Sequence, residues 1–165
     1  MPAPPPEAVT FKVIEPRHTP PLSLLLGFGA MMPIAIGALA SWLLPGWMAR
    51  LAFHATLLWA GAILTFLSGV RRGLSFRTAG GPTAAQILTM LWLFCLGLLA
   101  LGALLVDAPR IALVLLLCGY ASLAVLDPLA ATRGEAPLFF ARLRPLQMLI
   151  PLVSLGALLL GLSLR

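Results

Sequence analysis

Few residues in this chain of 165 could do chemistry, and most of them stand at the edges of long apolar runs. His54 is the only histidine inside such a run. An imidazole within a bilayer could relay protons or ligate haem, but a lone one beside Phe53, one turn from the end of its run, more commonly bonds a carbonyl or a headgroup. Asp127 is the most informative carboxylate. It stands where an apolar run closes, at the level of Arg71, Arg72, Arg142 and Arg144, and a half-buried carboxylate there needs a guanidinium partner. The expected chemistry is an ion pair that pins the helix carrying Asp127 to a neighbour, with other guanidiniums free for anionic lipid headgroups. A proton or ion relay would require a further carboxylate at mid-membrane, and the acidic residues Glu7, Glu15, Asp107 and Glu135 lie elsewhere.

The two cysteines, Cys95 and Cys118, lie inside apolar runs without metal-type spacing and read as small, inert, buried hydrophobes. There is no H-E-x-x-H, no G-x-S-x-G and no phosphate-binding loop, and Gly27-Phe28-Gly29 lacks both the third glycine and the strand of a dinucleotide fingerprint. An enzyme is not expected, nor a resident cofactor or metal. Pro33 and Pro151 interrupt two apolar runs, and each could free a carbonyl to coordinate a cation.

The elements that carry these residues follow from composition. Hydrophobic residues make up 61% of the chain and charged ones 10%, against roughly 25% charged in an ordinary soluble domain. A water-soluble globule is excluded. The net charge of +6, in so apolar a chain, points to anionic lipid and not to nucleic acid, whose binding faces interleave basic, polar and aromatic residues. The expected architecture is all-α: a polytopic membrane bundle of five spans over residues 22–44, 51–70, 84–106, 111–126 and 145–164. Each is near the 20 residues that cross a hydrocarbon core of about 30 Å. Residues 1–20 are proline-rich and read as a mobile tail, leaving 21–165 as the membrane domain. Ala38-Leu39-Ala40 resembles a cleavage site, but the apolar run before it exceeds the roughly 7–15 residues of a signal peptide, so this run is read as a retained span.

Pro45-Gly46 ends the first span, Gly80-Gly81-Pro82 marks a turn, Asp107 to Arg110 makes a tight hairpin, Asp127-Pro128 is expected to stop the fourth span, and Pro145 suits the first turn of the fifth. Counting basic residues on alternate sides places eight on the N-terminal side and three on the other. The expected location is a bacterial plasma membrane, and there that bias puts the N-terminus in the cytoplasm and the C-terminus on the periplasmic or extracellular side.

The second span carries Gly61, Thr65, Gly69 and Gly73, four apart, a flat strip for close helix packing. It is expected to face another span of this chain, with a partner protein as the other candidate. Gly97, Gly102, Gly156 and Gly161 offer looser partners for it. The segment Gly61-Ala62-Ile63-Leu64-Thr65-Phe66-Leu67-Ser68-Gly69-Val70-Arg71-Arg72-Gly73 resembles the hallmark of the DUF3429 family, the transmembrane protein 69-like membrane proteins. Asp127, Pro137 and Leu143-Arg144 are similar to that family's aspartate, proline and Leu-Arg pattern before its last span. Arg72 stands where the family carries tryptophan. The resemblance implies a membrane fold over residues 22–164 and no activity. The function expected from all this is a non-enzymatic accessory or assembly component of a larger membrane complex. The alternative is a small-solute or ion transporter using the proline-broken first and fifth spans.

Overall fold

A chain in hydrocarbon must satisfy its backbone donors and acceptors within each segment, so long apolar runs become helices. The computed structural model describes residues 19–78 and 81–164. These described residues hold five helices: α1 Pro21–Leu43, α2 Gly46–Ser75, α3 Ala84–Leu105, α4 Pro109–Thr132 and α5 Phe140–Ser163. Each is long and apolar enough to cross a membrane, and the protein is an integral membrane protein. The proline-rich stretch through residue 18, with Lys12 and Arg17, lies outside the described residues.

Three helices differ in their bounds from the sequence expectation. α2 continues through Arg50 at one end and Arg71 and Arg72 at the other. At 1.5 Å per residue its 30 residues reach about 45 Å, beyond a core of about 30 Å, so its arginines extend toward the headgroups without ending the helix. α4 does not stop at Asp127-Pro128; it runs to Thr132. Pro128 removes its own donor and crowds the carbonyl four residues before it, which bends a helix without having to end it. The true stop is Gly134, at φ 74°, where Gly134 N–H bonds the Ala131 carbonyl and Glu135 N–H the Ala130 carbonyl, a Schellman closure. α5 starts at Phe140, so Pro145 is inside the helix and not in its first turn. α3 begins with a capping box in which Thr83 and Gln86 satisfy each other's backbone donors, a signal present in the sequence.

The helices close into a ring in chain order, with α1 meeting α5, and α2 also touches α4 across the centre. The core holds Leu57, Leu64, Leu93, Leu113, Leu116, Leu123 and Leu155 with Met31, Ile34 and Tyr120. Cys95 and Cys118, expected to be buried, are exposed on the outside of the bundle. In lipid both faces of a helix can be apolar, so hydrophobic surroundings do not distinguish inside from outside.

The glycine strip is split. A Cβ on Gly97 of α3 would sit 2.6 Å from Thr65 Cγ2, 3.1 Å from the Thr65 nitrogen and 3.2 Å from the Gly61 carbonyl oxygen. Gly61 and Thr65 are therefore the seam between α2 and α3. Gly69 and Gly73 are exposed, and a Cβ at either would meet nothing within 4 Å. Of the looser partners, Gly161 packs against Trp42, while Gly102 and Gly156 border open space.

Candidate functional site

One end of the ring is organised by charge. Asp127 projects from α4 one and a half turns before the helix ends and is 3% exposed. Arg71 of α2 donates from Nη1 to its Oδ1 at 2.6 Å. Arg144 of α5 brings Nε to 3.0 Å from the other oxygen, Oδ2, at an angle that makes an ionic contact without a hydrogen bond. Its Nη1 donates to Gln147 Oε1 at 3.2 Å, and the Gln147 amide in turn donates from Nε2 to the Gly27 carbonyl of α1 at 2.6 Å. The Arg144 guanidinium also lies 4.5 Å above the Phe140 ring. One continuous polar chain thus ties α2, α4, α5 and α1, and two cations share one carboxylate.

Of the arginines expected at this level, the structure brings Arg71 and Arg144 to Asp127 and leaves two aside. Arg72 points 3.4 Å from the Ser75 hydroxyl and covers the Phe76 ring; Arg142 is exposed. Residues one apart on a helix differ in direction by about 100°, so neighbouring arginines cannot both face one carboxylate. Beside the node, two cavities of about 20 and 40 Å³ touch Arg71, Gln86 and Glu135, room for individual waters.

Sequence reasoning passed over Gln147, which joins the node to α1. A signal existed: a glutamine three residues after Arg144 inside an apolar run must find a partner in the bundle. It also passed over Tyr120, the single tyrosine, whose hydroxyl donates to the Ala60 carbonyl at 2.8 Å in the centre of the core. Trp59 ties α2 to α1 through the Ala30 carbonyl at 2.9 Å, and Trp92 ties α3 to α4 through Ser122 at 3.1 Å.

His54 lies at the opposite end. Its Nδ1 is 2.8 Å from the Arg50 carbonyl oxygen, which can only accept, so Nδ1 carries the proton. It borders an opening of about 240 Å³ with Ser41, Trp42, Arg50, Phe53 and Asp107. Asp107 takes the left-handed position, φ 53°, that closes the α3–α4 hairpin, and Arg110 donates to the Leu162 carbonyl at 2.9 Å. Pro33 is exposed on the outside of α1, whereas Pro151 is buried among core residues of α5. No family model, characterised protein or solved structure matches the chain.

Proposed function

We propose that this integral membrane protein is a non-enzymatic accessory or assembly component of a larger membrane complex. In this reading it sits in a bacterial plasma membrane with the Asp127 end cytoplasmic. The observation that carries the role is how its polar groups are used. The charged and amide side chains of the Asp127 node hold helix to helix, and the centre of the ring is filled by leucine, methionine, isoleucine and Tyr120. The chain resembles a rigid scaffold more than a conduit. The proposed contact is the outward face of α2, where Ala62, Phe66, Gly69 and Gly73 are exposed and follow helical spacing. Membership of the DUF3429 family, suggested by the same segment, is part of the proposal.

Transport through the proline-broken helices has less support, since Pro33 faces away from the ring and Pro151 is embedded in its apolar core. Affinity purification of the tagged chain from native membranes in mild detergent tests the proposal. A membrane protein should be recovered in stoichiometric amount, and Gly69→Leu should release it while leaving the purified chain as stable as before. Recovery of the chain alone, together with a monomer in lipid nanodiscs, would refute the role.

A further inference from the structure

At the Asp127 end a crevice of about 230 Å³ opens between α1, α2 and α5. Leu26 and Met31 of α1 and Ile63 and Phe66 of α2 wall it, and α5 contributes Arg144 and Gln147. Along α1 its lining extends from Ser23 to Met31, about 12 Å at 1.5 Å per residue. That is close to the roughly 15 Å of hydrocarbon in one leaflet. Apolar walls of that depth, lying along the bundle axis, suit an acyl chain.

The polar residues of the crevice specify the headgroup. Arg144 is 7% exposed and is held on the crevice by Asp127, Gln147 and the Phe140 ring. Because Asp127 serves two guanidiniums, the three directly paired side chains keep one positive charge in excess. Glu135 lies on the Arg71 side, bordering the two small cavities, and no residue lining the crevice is acidic. α1 starts beside the crevice without an acidic residue in its first turn or a side-chain cap, and the positive end of its dipole adds to the field. A net positive charge in a low-dielectric wall attracts an anion.

We propose that this crevice binds one anionic phospholipid, its acyl chain between α1, α2 and α5 and its phosphate at the Arg144–Phe140 end. The inference rests on the membrane placement of the helices and is independent of the accessory role. The full chain purified in a neutral detergent supplies the test, with bound lipid counted by native mass spectrometry. The probes are phosphatidylglycerol, phosphatidylcholine of the same acyl chains, and glycerol phosphate. Phosphatidylglycerol should bind once per chain, in about fivefold preference to phosphatidylcholine, the factor expected for one basic residue at an anionic surface. It should also raise the unfolding temperature, and glycerol phosphate should do neither.

Val70→Trp, which adds bulk to the crevice lining and leaves Asp127, Arg71 and Arg144 unchanged, should lose the lipid, and Ile63→Trp should do the same if the first variant does not fold. Arg142→Gln, outside the lining, should keep it. Equal binding of the two phospholipids, an equal response to glycerol phosphate, or undiminished lipid in a folded tryptophan variant would overturn the proposal.

Discussion

At the scale of single residues, the node around Asp127 sets one carboxylate against two guanidiniums, those of Arg71 and Arg144. A buried pair is worth little against well-packed apolar residues, yet breaking one side of it leaves an uncompensated charge. Asp127→Asn keeps the shape and removes the countercharge of both Arg71 and Arg144, so it should destabilise the protein by about 3–5 kcal/mol. Replacing Arg71 and Arg144 by Met and Asp127 by Leu together should recover most of that loss. Unfolding in bicelles measures both variants; wild-type stability of Asp127→Asn would show that water already screens the node. The carboxylate was legible in the sequence because a charge closing an apolar run has few ways to be satisfied. The choice of Arg71 over Arg72 was not, because helices apolar on all sides carry no amphipathic stripe to fix their rotation.

At the scale of elements, the α2–α3 seam depends on Gly97, whose neighbours include the Thr65 nitrogen and the Gly61 carbonyl oxygen. Backbone atoms cannot swing aside as a flexible side-chain end can. Gly97→Ala should therefore cost about 1–3 kcal/mol through overpacking, while Gly69→Leu, facing open space, should change the stability of the isolated chain by less than about 0.5 kcal/mol. Thermal unfolding of the two purified variants checks the contrast, and equal losses would mean that the whole strip is internal. The sequence disclosed the strip, but four-residue spacing states only that the residues share a face; the far half turned outward because α3 meets α2 at Gly61 and Thr65. Span number was legible for a stronger reason, since length and hydropathy decide it without packing. Boundaries were less legible, because a local breaker such as Pro128 signals a helix end by itself, whereas the left-handed position that closes α4 is supplied by Gly134.

At the scale of the whole molecule, the two ends of the bundle differ in charge. The ends of α2, α4 and α5 gather Arg71, Arg72, Arg77, Arg133, Arg142 and Arg144 on one side, against Arg50 and Arg110 on the other among the described residues. Arginines in short connections resist translocation, so the richer end should remain in the cytoplasm. Single-cysteine variants can report this once Cys95 and Cys118, both exposed, are replaced by Ala. Val106→Cys, exposed at the α3–α4 hairpin, should react with a membrane-impermeant maleimide on spheroplasts; Arg77→Cys, exposed beyond α2, should react only after permeabilisation. The reverse pattern would invert the topology and carry the Arg144 crevice into the outer leaflet, where its phospholipid would have to come from that side. Labelling of both positions from outside would mean a mixed insertion, and an arginine bias too weak to fix the orientation.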